Sequence, residues 1–375
     1  MEDYTLEFVK PFHDNINYRE EQKELIDKAV EISNGDKLTA LNYIVTSLLH
    51  NDIKDVDFIL EFTIPANTSA TITLPIVESE LKDELGYYVS WGNIKDSVFG
   101  ITHNIDTHTY EPTNEIKKYQ VRFFGLGITG FGKYGINKDY NTYLTKVISF
   151  GQLGHMFTSL EYAFSHCKNN FDVPKELPSS ITDLSSMFVR CKNFNKKLDW
   201  NTRNITTMVE VFSQCINFNQ NLQWDLTNAT TLEHMFSGCK KFNQNLQWDI
   251  SPQRSKVKNI KMMFCFCEMF NQNLQWDTSG VETMEGIFGG CTDFNQKLEW
   301  KTSNTTNMAY MFDRCTNFNQ KLEFNVEKVL SMEKMFSECH NFNQKLEWII
   351  PKHTNIKDMF LECNISEENK PRIEE

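Results

Sequence analysis

The sequence predicts an α+β fold in which a helical N-terminal segment and a small β-sandwich precede a solenoid of about nine 24-residue coils. Three observations predict this fold. Apolar residues before Asp57 recur at helical spacing, the stretch from Asp57 to about Lys133 consists of short β-rich runs, and cysteines recur at a fixed interval from Cys167 onward. The predicted domains are a helical segment at 1–56, a sandwich at 57–135, a linker or cap at 136–159 and a solenoid at 160–375.

The N-terminal segment has the pattern of a helical hairpin. From about Tyr18 onward, Leu25, Ile26, Ala29 and Val30 share one face, and the pair Asn34-Gly35 interrupts the pattern. A second apolar run follows and ends near Asn51. This segment is expected either to dock onto a partner or to cap one end of the sandwich.

The predicted sandwich rests on runs of β-branched and aromatic residues that are separated by turn residues. These runs are Phe58 to Ile64, Ala70 to Ile76, Tyr87 to Trp91 and Tyr119 to Phe124.

The cysteines mark the period of the solenoid. Nine of the ten lie in one register, with steps of 24 residues and a single step of 28, and Cys265 lies outside it. They are Cys167, Cys191, Cys215, Cys239, Cys267, Cys291, Cys315, Cys339 and Cys363. The frame MxxMFxxCxxFNQxLxW recurs around them, and such self-similarity is typical of stacked coils that bury their apolar faces against each other.

Within one frame, Met308, Met311, Phe312 and Cys315 are spaced i, i+3, i+4 and i+7, which predicts a short helix at the start of each coil. The alternation in LxW predicts a short strand at its end. Between them the Asn of FNQ is expected to adopt the left-handed conformation that stops the helix, and stacked copies are expected to form an Asn ladder.

The long step of 28 residues places four extra residues in the segment 249–259, which is expected to bulge from the coil. Arg254, Lys256, Lys258 and Lys261 make this bulge basic within a chain of net charge −12. The basic cluster is either a contact point or a solvated loop.

Composition limits the classes of function. The negative charge disfavours nucleic acid as a partner, and no run is apolar enough to insert into a membrane. No secretory signal is evident in residues 1–10, which favours an intracellular protein with free thiols. The cysteines are interpreted as small core residues, and the CxC of Cys265 and Cys267 is too weak to predict a metal site.

Three segments of the predicted sandwich resemble the WGDG, HxY and YxVxxxG strands of polycystic-kidney-disease-type domains. They are YYVSWGN at 87–93, HTY at 108–110 and YQVRFFG at 119–125. The Asp-Gly of the family's turn is replaced here by Asn93-Ile94.

With KVISFG at 146–151, the stretch from Asp57 to Cys363 is similar to the BspA-like leucine-rich-repeat family. Its members occur among bacterial surface lipoproteins, including the Mycoplasma type, and among proteins of large DNA viruses. The repeat frame carries the resemblance, with Cys where family repeats more often have Ala. The resemblance implies a leucine-rich-repeat-like solenoid used for binding or assembly, and it brings no catalytic residue and no cofactor.

The leading hypothesis is therefore a non-enzymatic structural or interaction protein with protein partners, such as capsid or other assembly proteins. Nine coils at a strand spacing of about 5 Å would present a face about 45 Å long. The candidate contact residues are Lys297, Lys321 and Lys345 after FNQ, and Arg254, Lys256 and Lys258 in the bulge.

Within this hypothesis, a composition rich in Asn, Lys, Ile and Phe favours a virion component of a large DNA virus. Two alternatives remain, a bacterial surface adhesin and an enzyme. The adhesin would need a signal sequence. An enzyme would need a converging constellation, for which His103, Asp106 and His108 in the sandwich are the candidates. His108 is instead expected to fix a turn.

Overall fold

The computed structural model describes residues 58–78, 87–92, 97–100, 106–124, 128–132, 135, 138–151 and 157–375. The helical segment predicted at 1–56 lies outside the described residues. The chain divides into two compact units. The sheet unit holds the described residues up to Thr158 together with 172–174 and 178–180, and the repeat unit holds 159–171, 175–177 and 181–375.

The sheet unit consists of short strands and one short helix. These are β1 (Phe58–Ile64), β2 (Ala70–Thr73), β3 (Ile76–Glu78), β4 (Tyr87–Ser90), β5 (Ser97–Gly100), β6 (Thr107–Tyr110), β7 (Lys117–Phe124), β8 (Ile128–Phe131), α1 (Lys138–Tyr143) and β9 (Leu144–Phe150). Five strands form one antiparallel sheet in the order β5-β4-β7-β1-β9. Strand β2 pairs with β6, and β3 pairs with β8.

Strand β1 is mostly buried and pairs with two long strands, β7 and β9. Phe58 is paired with Phe123 of β7 on one side and with Phe150 of β9 on the other. Its ring centroid lies 4.7 Å from that of Phe123 and 4.5 Å from that of Phe131. These rings are buried, so aromatic packing across the strands forms the core of this unit.

The predicted α+β class is wrong for the described residues, in which strands and turns predominate. The helices there are α1, with six residues, and a three-residue 3₁₀ helix at Glu367–Asn369. The helix predicted at the start of each coil is absent from the described coils, and reverse turns take its place.

The coil that begins near Met308 shows how these turns form. The amide of Met311 donates to the carbonyl of Met308 at 3.3 Å, and the amide of Cys315 donates to that of Phe312 at 2.9 Å. The third residues of these two turns, Tyr310 and Arg314, have φ of 58° and 60°. A positive φ at this position is typical of type II turns and incompatible with an α-helix.

Alternate amides of the same segment bond the next coil instead. Tyr310 donates to the Glu333 carbonyl at 2.8 Å, and Phe312 donates to Met335 at 2.9 Å. An α-helix would use these amides within the coil. Apolar residues at i, i+3, i+4 and i+7 can face the core either in an α-helix or in two successive turns. The hydrogen bonds between coils favour the turns.

Each turn segment is preceded by a Ser, Thr, Asn or Asp that forms a parallel bridge to its equivalent in the next coil. These residues are Ser159, Asp183, Thr207, Thr231, Asn259, Thr283, Asn307, Ser331 and Asn355, which mark nine coils in the described stretch 157–375. Their side-chain oxygens commonly accept the amide two residues later, as between Asn307 Oδ1 and the amide of Ala309 at 3.0 Å.

The strand predicted in each LxW segment is also wrong for most coils. In the repeat unit, strands occur only at β10 (Ile349–Ile350) and β11 (Arg372–Ile373), which pair in parallel. The alternation of buried and exposed residues nevertheless holds, because Leu298 and Trp300 are buried while their neighbours are exposed.

Near the LxW segments, side-chain hydrogen bonds to the backbone and to other side chains join neighbouring coils. Asn271 Oδ1 accepts the backbone amide of Asn295 and the Nε2 of Gln296, both at 3.0 Å. Equivalent pairs repeat along the stack, which confirms the predicted Asn ladder. The Asn residues have no positive φ, however, so the expectation that they stop a helix in the left-handed conformation is wrong.

Eight of the nine register cysteines are buried in one column, and Cys363 is half-buried. Seven of them donate Sγ–H to the carbonyl of a Phe in the preceding coil, as Cys315 does to Phe288 at 3.0 Å. The tryptophan indoles bond in the same direction, as Trp276 Nε1 does to the Leu246 carbonyl at 3.0 Å. Hydrogen bonds from cysteines and from tryptophans therefore join neighbouring coils within the core.

Ring spacing differs slightly between the two sides of the stack. Successive Phe rings in the turn segments are 5.5–6.0 Å apart, and successive rings at the Trp position of LxW are 6.1–6.3 Å apart where they stack. The coils are therefore closer on the turn side, where backbone hydrogen bonds join them.

Candidate interaction surfaces

Exposed residues flank the buried Leu of each LxW segment and form what we call the outer face. In seven successive coils they form two rows. The first row is Lys197, Asn221, Asn245, Asn273, Lys297, Lys321 and Lys345, and the second is Asp199, Gln223, Gln247, Gln275, Glu299, Glu323 and Glu347. All of these side chains are exposed.

The lysines predicted as a contact stripe lie on this outer face, each beside an acid. Lys297 Nζ lies 2.6 Å from Glu299 Oε1, and the next coil repeats the pair with Lys321 and Glu323 at 2.9 Å. These hydrogen bonds raise the pKa of Lys297 and of Lys321, and lower the pKa of Glu323. Lys345 pairs with Glu347 at 3.5 Å.

The middle coils of the outer face carry neutral amides. Asn221, Asn245, Asn273, Gln223, Gln247 and Gln275 are exposed, and their side chains make no hydrogen bond within the part of the chain that the structure describes. Each amide offers both donors and acceptors. The outer face therefore combines a neutral central block with charged pairs on both sides.

A shallow cleft crosses the outer face where the neutral block meets the charged coils. Asn273 and Gln275 line it on one side, and Lys297 and Glu299 line it on the other. Lys301 and Asp277 close one end with an ion pair of 3.0 Å between adjacent coils.

The repeats also match a known family. The family model described as "Mycoplasma protein of unknown function, DUF285" matches residues 158–275 and 258–372, which together cover more than half of the chain. The chain belongs to the DUF285 family. No curated protein and no solved structure matches it.

The family match covers the bulge at 249–259, whose basic residues are only partly neutralised. Lys258 Nζ pairs with Glu282 at 2.6 Å, whereas Lys256 Nζ donates to the neutral Asn228 Oδ1 at 2.8 Å. Arg254 is exposed and has no ion pair within the described residues. Lys261, which was grouped with them in the sequence, lies in the next turn segment and pairs with Glu285 at 3.1 Å.

The bulge borders a groove across three DUF285 coils. Pro252 of the bulge packs against Gly280, whose missing side chain leaves room for the ring. Lys256, Lys258 and Lys328 line the groove together with Glu282. Lys328 Nζ donates to the neutral Asn304 Oδ1 at 3.0 Å, so the groove keeps a net positive charge.

The two cysteines of the CxC have different environments. Cys267 is buried and donates to the Phe236 carbonyl at 3.1 Å, whereas Cys265 is half-buried. Burial, and secondarily Asp313, raise the pKa of Cys265 to about 11. Across the described residues, no group of three or more His, Cys, Asp or Glu side chains is arranged to hold a metal ion.

Two of the three residues considered for an enzyme site, Asp106 and His108, lie in the sheet unit of this DUF285 chain. His103 lies outside the described residues. His108 lies in strand β6 rather than in a turn, so the expectation that it fixes a turn is wrong. Its ring stacks on Trp91 at 5.3 Å and meets the edge of Tyr110 at 4.6 Å.

Sequence reasoning missed the second row of the outer face. The signal was present as KxE in three coils and NxQ in three others, because residues at i and i+2 of an alternating segment share a face. Among the described residues, no helix has the length and apolar character needed to cross a membrane.

Proposed function

We propose that this DUF285 protein is a non-enzymatic interaction protein that binds other proteins through the outward rows of its stacked coils. The continuous outer face across seven coils carries the proposal, because identical backbone positions present side chains in register over a long surface. The net positive groove beside the bulge is a second contact region for an acidic protein segment.

Crosslinking in the native source tests this proposal. A photo-crosslinking residue placed at Lys321, on the outer face, is expected to capture a defined set of proteins, and so is one at Lys256. A matched probe at Lys168, an exposed residue outside both regions, is expected to capture none of them. Equal labelling from all three positions would remove the support for these surfaces.

Within this proposal, the expected intracellular location favours a virion or capsid-associated role in a large DNA virus. Mass spectrometry of purified particles should then detect the chain at stoichiometric levels. The resemblance to BspA-like surface proteins, and to polycystic-kidney-disease-type domains in the sheet unit, favours the adhesin alternative. The family description also refers to Mycoplasma. Labelling of intact cells by a membrane-impermeant reagent would support the adhesin instead.

A further inference from the structure

We propose that the outer face pairs with the outer face of a second copy of this chain, related by a two-fold axis parallel to the stack. This inference deepens the proposed interaction role by naming one partner. It starts from the two rows of the outer face, in which lysines occupy the first row and acids the second in four of the seven coils.

The direction of the axis decides which rows meet. A two-fold axis parallel to the stack places each coil opposite its own copy and reverses the direction of the LxW segment. The lysine row of one copy then faces the acid row of the other, so Lys297, Lys321 and Lys345 oppose Glu299, Glu323 and Glu347 of the second copy. An axis across the stack would instead place the lysine row over the lysine row.

The central amides fit the same arrangement. Asn221, Asn245 and Asn273 would face Gln223, Gln247 and Gln275 of the second copy. An amide side chain both donates and accepts, so these pairs are complementary in either orientation. The six amides have no hydrogen-bond partner in the described part of the chain, so pairing does not require them to break an internal bond.

The existing Lys–Glu pairs do not prevent this exchange. Lys297, Lys321 and Lys345 and the glutamates that they pair with have side chains that are 61–77% exposed. Ion pairs this exposed contribute little, because water solvates both charges well. Exchanging them for pairs between copies therefore loses little stabilisation within the chain. Partial burial strengthens the attraction between the charges, and the desolvation of both charges offsets part of that gain.

The neighbouring rows introduce no repulsion between like charges. Asp225, Asp249 and Asp277, which follow the second row, would lie opposite the neutral Asn219, Asn243 and Asn271 of the second copy. The coils are slightly farther apart on this side, so two such faces are gently convex toward each other. The long lysine and glutamate side chains at the C-terminal coils can span the wider gap there.

The size of the face indicates a weak, reversible dimer. Seven coils by four residue positions cover about 35–40 Å by 13 Å, or about 500 Å² per copy. A total near 1,000 Å² lies at the lower limit of specific interfaces, in the range of weak and transient complexes.

Charge reversal tests the proposal on the full chain. Sedimentation equilibrium should show a dimer for the unchanged chain, with a Kd that rises with salt. The triple variant K297E/K321E/K345E should raise this Kd at least about 30-fold, and so should E299K/E323K/E347K, because each creates two rows of one sign. An equimolar mixture of the two variants should dimerise again, and so should the chain that carries all six changes.

The matched control is K168E/K192E/K241E, which changes three exposed lysines outside the outer face by the same charge and should leave the Kd within about 3-fold. Circular dichroism checks that each variant is folded. An unchanged chain that stays monomeric at 500 μM would overturn the self-pairing while leaving the capture of other proteins intact. A dimer that both triple variants leave unchanged, or a mixture that stays monomeric, would overturn it equally.

Discussion

The turn side and the LxW side of each coil bury the same kind of apolar row, but different groups join the coils on each side. On the turn side, backbone amides donate to carbonyls of the next coil, as Phe312 does to Met335. On the LxW side, the Asn ladder, the indole nitrogens and stacked rings make the connection.

This difference indicates at which positions the contact between coils requires a particular residue. A backbone hydrogen bond survives most substitutions, so the turn side can vary, and its positive-φ positions hold residues as different as Tyr310, Arg314 and Lys334. A side-chain hydrogen bond requires a particular residue. The FNQxLxW half of the frame is accordingly the half in which polar residues recur with little change.

The largest effect is expected where the two sides meet. The Phe288 ring lies 4.1 Å from Phe294 and 5.6 Å from Trp300, and it also stacks on the Phe rings of both adjacent turn segments. Phe288→Ala should lower the free energy of unfolding by about 3–5 kcal/mol because it leaves a cavity. Chemical denaturation measures this change, and limited proteolysis should then cut in adjacent coils. Unchanged protection would contradict stacking as the source of stability.

The Asn ladder should show the next largest effect. Asn271→Ala removes the acceptor for two donors in the next coil and should cost about 1–3 kcal/mol. Asn273→Ala, two residues away on the exposed outer face, should change stability by less than about 0.5 kcal/mol.

A turn-side variant sharpens the contrast with the ladder. Arg314→Ala keeps the backbone bond to Ser337 and loses only an exposed ion pair with Glu338, so it should cost about 0–1 kcal/mol. A loss equal to that of Asn271→Ala would refute the distinction between the two sides.

Two tryptophans on the LxW side provide a matched pair. Trp276 Nε1 donates to the Leu246 carbonyl, and Trp276→Phe should cost about 1 kcal/mol. Trp348 Nε1 is buried and has no hydrogen-bond partner among the residues that the structure describes, and Phe324 occupies the same position one coil earlier. Trp348→Phe should therefore be less destabilising than Trp276→Phe when both are measured by urea denaturation.

The buried thiols should make the free energy of unfolding fall as pH rises above about 9, because they stay protonated in the folded chain and ionise once the chain is unfolded. Burial raises the pKa of Cys267, Cys291 and Cys315, so these thiols stay protonated and unreactive in the folded chain at pH 8. Labelling of the native protein should reach the half-buried Cys265 and Cys363 first, and faster as pH approaches 11, whereas denatured protein without reductant should label all ten. Five disulfides instead would contradict the free-thiol interpretation.

By itself, the sequence determined the period, the coil positions that face the core and the Asn ladder. These follow from burial, because a residue type that recurs at a fixed step in a stack must meet its own copies. Seven register cysteines and the FNQ residues accordingly lie where the period predicts.

The local fold of each coil depends on contacts with its neighbours in the stack. The spacing of Met308, Met311, Phe312 and Cys315 is satisfied both by a helix and by two successive turns, and a capping residue such as Asn307 suits either. A helix forms if alternate amides bond within the coil, and turns form if they bond to the next coil. The carbonyls of the next coil come within hydrogen-bond distance only once the coils have stacked. The same holds for the outer face, where the stack brings the lysine, acid and amide rows together.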